Sequence, residues 1–110
     1  MTVYVAATEK AKKYKALPDV VRGINSDLSG AYLNLGASCE KLGDIESARK
    51  NYAAAAQAAP NAQAHFNMAV TYWGQDWTRV RDSLEACLRI NPQFPDGAKF
   101  LAIAKAKERT

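Results

Sequence analysis

Residues recur along this 110-residue chain at a fixed interval. An interval of about 33 residues restricts a sequence to an array of one repeated supersecondary unit. Asn34, Leu35 and Gly36 return as Asn67, Met68 and Ala69, and again as Phe100, Leu101 and Ala102, 33 positions further on each time. Asp44, Ala48, Tyr52, Ala55 and Pro60 return as Asp76, Val80, Leu84, Cys87 and Pro92 at a step of 32. The one-residue difference falls between Tyr72 and Asp76, which predicts a turn one residue shorter in the second copy.

Within each unit the apolar spacing is helical. Tyr32, Leu35, Cys39 and Leu42 lie three, four and three apart and predict one inward face on a helix from Ala31 to Leu42. Gly43 supplies a left-handed stop and Asp44 a cap for the next helix. That helix carries Ile45, Ala48, Tyr52, Ala55 and Ala59 as its inward stripe, and Pro60 ends it. The second unit repeats the plan with Phe66, Ala69 and Tyr72, then Trp77, Val80, Leu84, Cys87 and Leu88, closed by Asn91-Pro92. Pro95-Asp96 opens a last helix from Gly97 to about Lys107. There Phe100, Leu101, Ile103 and Ala104 cover the preceding hairpin while Lys99, Lys105, Lys107 and Arg109 meet water.

The first 28 residues are less regular. Val3 to Tyr14 reads as helical, Leu17-Pro18 as an interruption, and Asp19 to Ile24 as a short second helix, with Asn25-Ser26-Asp27 at a repeat boundary. One domain results, in four segments: a degenerate or truncated hairpin over 1–28, repeats over 29–61 and 62–94, and a capping helix over 95–110.

Tyr32, Leu35, Gly36, Ala48, Tyr52, Ala55 and Pro60, with Gly43-Asp44 at the turn, make this chain resemble the tetratricopeptide repeat family. Cys39 departs from the family, which usually places an aromatic there. The second unit is more divergent, with His65 for the first large residue, Met68-Ala69 for Leu-Gly, and Val80 for alanine. The resemblance implies an all-α, short right-handed helical solenoid of antiparallel hairpins. Gly36, Ala48, Ala55 and Ala69 are the small residues that let helix axes approach at the short end of the usual ~8–10 Å.

The resemblance also implies a concave groove lined by the first helix of each unit, which binds another protein or a peptide. The positions it assigns to that groove are Leu33, Asn34, Ala37, Glu40 and Lys41, then Phe66, Asn67, Val70 and Trp73, and Lys99, Phe100 and Ile103 on the last helix. Phe66, Val70 and Trp73, spaced four and three apart, form an apolar stripe suited to anchoring a partner. Asn34 and Asn67 each offer a donor and an acceptor to a peptide backbone. Some family members grip a C-terminal carboxylate with lysine and asparagine on successive groove helices. Leu33 and Ala37 stand where the first helix would supply them, so an apolar or helical segment is the expected ligand. Self-association or service as a segment of a longer array is the alternative, since about three repeats are usually needed for stability.

Composition excludes other classes. The net charge of +4 gathers at the two ends, in Lys10, Lys12, Lys13, Lys15 and Arg22, then Lys99, Lys105, Lys107 and Arg109. Glu9, Asp19, Asp27, Asp96 and Glu108 dilute both clusters, and no nucleic-acid motif accompanies them, so polyanion binding ranks last. Cys39 and Cys87 lie in no metal or redox spacing. The single histidine, His65, has no nucleophile assigned to it, and no phosphate-cradling glycine motif occurs. Neither enzyme activity, a cofactor nor a small-molecule substrate is expected. No run of about 18 apolar residues suggests a membrane span, and the first apolar run is too short for a signal sequence. A cytoplasmic location is the simplest expectation, or a periplasmic or membrane-anchored one if the chain is part of a longer protein.

Overall fold

A computed structural model of the protein describes residues 16–110, with side chains from residue 19 onward. It contains five α-helices in chain order: α1 Ala16–Lys41, α2 Ile45–Ala58, α3 Ala62–Tyr72, α4 Trp77–Ile90 and α5 Gly97–Arg109. No strand occurs among the described residues. Each helix packs chiefly on its neighbours in the chain, and α1 also touches α3. The arrangement is elongated: the radius of gyration is 17.3 Å, against about 13 Å for a compact domain of ~100 residues.

Local chemistry explains the breaks. Gly43 adopts φ +82°, its N–H donates to the Glu40 carbonyl at 3.0 Å, and the Asp44 N–H donates to the Cys39 carbonyl at 2.9 Å. The last carbonyls of α1 are thereby satisfied. The Asp44 carboxylate then accepts from the Ser47 N–H at 3.2 Å and starts α2. These hydrogen bonds from Ser47 hold its carboxyl below the usual value. Asn61 caps α3 by accepting from the Ala64 N–H at 3.0 Å, and Asp76 caps α4 through the Arg79 N–H at 3.1 Å.

The deletion in the second unit is not a shorter turn. Leu42–Asp44 joins α1 to α2, whereas the longer Trp73–Asp76 joins α3 to α4. Lys41, the last residue of α1, aligns with Gly74, which takes φ +80° in the second turn. The missing residue therefore comes out of the helix end, and the turn lengthens to compensate.

The front of the chain differs more. Instead of a short helix and a boundary at Asn25–Asp27, α1 runs without interruption from Ala16. Pro18 lies in its first turn, where the missing N–H has no helical acceptor to lose. Asn, Ser and Asp cost at most ~0.7 kcal/mol each in a helix relative to alanine, too little to break one by themselves. The helix expected over Val3–Tyr14 lies outside the described residues.

Burial follows the repeat. Gly36, Ala48, Tyr52 and Ala55 are buried in the first unit, and their equivalents Ala69, Val80, Leu84 and Cys87 are buried in the second. A β-carbon on Gly36 would lie 2.5 Å from Cε1 of Tyr52, so glycine there permits the close approach of α1 and α2. The expected inward face of α1 needs correction: Tyr32 and Cys39 are half-buried, but Leu35 and Leu42 are exposed. Ser29 and Gly36 are the buried positions of α1. Leu35 adjoins Gly36 in sequence and points about 100° away from it around the helix.

Two arginines at equivalent positions bind one hairpin to the following helix. Arg49 of α2 donates to the Thr71 carbonyl at 2.6 Å and to Thr71 Oγ1 at 3.1 Å, and reaches Gln75 at 3.3 Å. Its guanidinium also lies 3.7 Å from the Tyr72 ring centroid. Arg81 of α4, 32 residues on, pairs with Glu108 of α5, the equivalent of Gln75. Arg81 Nε sits 3.3 Å from Glu85 without hydrogen-bond geometry.

Candidate functional site

The groove positions expected from the sequence fall into two places. Ala37 and Lys41 of α1 and Asn67 and Val70 of α3 face one another across a cleft of about 290 Å³, with Glu40 and Tyr52 also in its lining. Parallel placement of equivalent residues on two first helices creates it, since Asn34 and Ala37 recur in register as Asn67 and Val70. Leu33 is half-buried and Asn34 exposed on α1, and neither lines the cleft.

The cleft floor is polar and already bonded. The Tyr52 hydroxyl donates to Glu40 Oε1 at 2.6 Å, which places a carboxylate at the base of the site. Burial first, and then the Glu40 hydrogen bond and charge, push the Tyr52 phenol well above its ordinary value. It therefore stays a neutral donor at any physiological pH. Asn67 accepts from Gln63 at 2.7 Å. Val70 is 42% exposed and supplies the apolar wall. The Lys41 ammonium is exposed at the rim and makes no ion pair among the described residues.

Phe66 is half-buried, whereas Val70 and Trp73 both stay exposed, so the three do not form one continuous open stripe. Phe66 packs on Phe94 at 4.9 Å and Phe100 at 5.6 Å between ring centroids. Trp73 lies 5.4 Å from Phe100 and 4.9 Å from Trp77, the latter edge-on. Their rings are thus occupied in fastening α5 to α3 and the start of α4, although Trp73 remains 38% exposed. Aromatic pairs of this geometry contribute about 0.5–1.5 kcal/mol each beyond burial. Lys99 is exposed on α5 and lines neither cleft. The sequence expected Phe100 to cover the preceding hairpin but gave no sign of the Phe94 ring, nor that Phe66 and Trp73 would be the rings covered.

A second depression of about 330 Å³ opens on the opposite side of α3, between α2 and α4. His65, Met68, Tyr72, Arg79, Asp82 and Ser83 line it with Tyr52 and three alanines. His65 makes no hydrogen bond to Ser83 or Asp82. Burial, and secondarily the Arg89 charge, hold its imidazole below its usual value, so it is neutral at pH 7. Among the described residues no three His, Cys, Asp or Glu side chains converge as a metal site requires, and no helix is long and apolar enough to cross a membrane.

Two elements were missed in the sequence: Tyr52 as part of the cleft lining, and the Arg49 and Arg81 clamps. The second had a signal, because the arginines recur at the same 32-residue step as the core positions. Neither a family model nor a curated protein matches this chain.

Proposed function

We propose that the chain is a protein-interaction scaffold of the tetratricopeptide type, a short solenoid whose cleft between α1 and α3 receives a peptide or partner segment. The observation that carries this reading is the juxtaposition of Ala37, Lys41, Asn67 and Val70 from two equivalent helices around one cleft. Support for the solenoid comes from the burial of the same repeat positions in both units and from the recurrence of the arginine clamp. An apolar ligand side chain would rest on Val70 and Ala37, with Asn67 and Lys41 available to the ligand's backbone or acidic groups. The bonded Glu40–Tyr52 floor gives the cleft a fixed shape without spending the exposed donors.

Selection of peptides from a displayed random library tests this. Peptides enriched on the wild-type protein are expected to lose at least ~10-fold in affinity when Val70→Glu or Asn67→Ala is introduced, since each removes one anchor of a small site. Both positions lie away from the buried core, so helicity and melting should hold. Failure to enrich any peptide, or enrichment indifferent to both substitutions, overturns the reading.

A further inference from the structure

Along α1 runs a stripe left exposed among the described residues, whose internal equivalents are, except for Gln75, buried or half-buried. Leu28, Ala31, Leu35, Ser38 and Leu42 correspond, at steps of 33, to Asn61, Ala64, Met68, Thr71 and Gln75 on α3, and to Phe94, Gly97, Leu101, Ala104 and Glu108 near and on α5. On α3 and α5 this face lies against the preceding helix: Ala64, Thr71, Gly97 and Ala104 are buried, and Gln75 and Glu108 receive Arg49 and Arg81. On α1 every one of these positions is exposed, Leu35 to 52% and Leu42 to 85%. The stripe continues upstream through exposed Ile24 and Val21.

We infer that this face is an interface between two copies of the chain, in which α1 of one protomer pairs antiparallel with α1 of the other. From Val21 to Leu42 the stripe alternates steps of three and four, the spacing of a two-helix seam, and it runs for about three heptads or ~32 Å. Large residues occupy one seam position (Val21, Leu28, Leu35, Leu42) and mostly small ones the other (Ile24, Ala31, Ser38). Parallel pairing would set small against small and leave voids, and leucine at the first seam position disfavours the parallel dimer. Antiparallel pairing places Leu35 against the small Ala31 of the other copy, Leu28 against Ser38, and Leu42 against Ile24. The same register brings Asp27 of each copy to Lys41 of the other. Neither residue forms an ion pair among the described residues.

The end of the stripe separates this occupant from another hairpin of the same repeat. Where α3 and α5 offer Gln75 and Glu108 to an arginine, α1 offers Leu42, which takes an apolar group instead. The seam leaves Ala37, Asn67 and Val70 of the cleft free, and Lys41 is the one residue that both readings use.

Analytical ultracentrifugation of the full chain, with native mass spectrometry of mixtures, tests it. The wild type should show a concentration-dependent monomer–dimer equilibrium, and Leu35→Glu should weaken the dimer at least ~10-fold by burying two charges at the seam. Asp27→Lys and Lys41→Asp should each weaken homodimers through like-charge contact, yet form a heterodimer with each other when mixed. Both are exposed surface positions, so these two variants test the pairing even if Leu35→Glu misfolds. A wild type that stays monomeric at all concentrations overturns the inference and leaves the stripe to residues 1–15 or a different chain. A dimer indifferent to Leu35→Glu, or the absence of the mixed dimer, overturns the antiparallel seam.

Discussion

Replacing Gly36 with alanine should destabilise the protein, although alanine is the better helix former. Within a helix alanine is favoured over glycine by about 1 kcal/mol. At position 36 the new methyl would lie 2.5 Å from Cε1 and 2.6 Å from Cδ1 of Tyr52, so the ring must retreat by about 1 Å to reach ordinary carbon contact. Tyr52 is fully buried in the hairpin, and its hydroxyl is bonded to Glu40 at 2.6 Å. Overpacking of this kind costs about 1–3 kcal/mol, and loosening a hydrogen bond to a carboxylate about 1.5–3 kcal/mol. Set against the helix gain, the net loss is about 1.5–5 kcal/mol. Gly30→Ala is the matched control: it is the same substitution in the same helix, but nothing lies within 4 Å of the new β-carbon. That variant should gain about 0.5–1 kcal/mol.

Thermal melts followed by far-UV circular dichroism separate the two, since 1 kcal/mol moves Tm by about 4–8 °C for a domain near this size. Gly36→Ala should melt at least ~6 °C below wild type, and Gly30→Ala a few degrees above it. The second unit provides the rescue, because Ala69 packs against Leu84 at the positions of Gly36 and Tyr52. Gly36→Ala combined with Tyr52→Leu should therefore lose less than the sum of the single changes, by about 1–2 kcal/mol. Equal melting of Gly36→Ala and Gly30→Ala, or full additivity in the double variant, would refute the close-packing argument.

Three further outcomes follow from the contacts. Arg49→Lys keeps the charge but loses the planar fork that serves Thr71, Gln75 and the Tyr72 ring together; urea unfolding should show a loss of about 1–2 kcal/mol. His65 binds its proton less readily in the folded state than its ordinary 6.5, so its contribution is whole above pH 6.5 and declines as pH falls below it. A melting series from about pH 7.5 to about 5.5 should slope downward for wild type and less for His65→Gln. Trp73→Ala removes ring contacts to Trp77 and Phe100 and should cost about 1–2 kcal/mol given its partial exposure, with a change in Trp77 emission reporting loss of the edge-on partner.

Periodicity made the helices and the hairpin cores legible, and it failed where a partner surface decides the outcome. Asp44, Asp76 and Gly43 act through bonds to residues three to five positions away, so local sequence suffices to place them. The cores of the hairpins were legible for a related reason, because Ala48 with Val80 and Ala55 with Cys87 repeat one packing problem in two copies. Leu35 was misread because its face depends on whether another helix stacks on α1. Its equivalent Leu101 packs against the core on α5, while Leu35 itself is exposed.

The same dependence divides the expected binding residues. Ala37, Lys41, Asn67 and Val70 meet because two first helices lie in register, and a repeat interval carries that information. Phe66 and Trp73 share that register, but their rings pack on Phe94 and Phe100, so the placement of the last helix decides how far they stay open. A repeat sequence thus specifies which residues are equivalent, and the neighbour each helix receives determines which equivalents become core and which become surface. The exposed leucines of α1 and the occupied aromatics at α3 are two consequences of that one rule, the first without a stacked helix among the described residues and the second supplied with one.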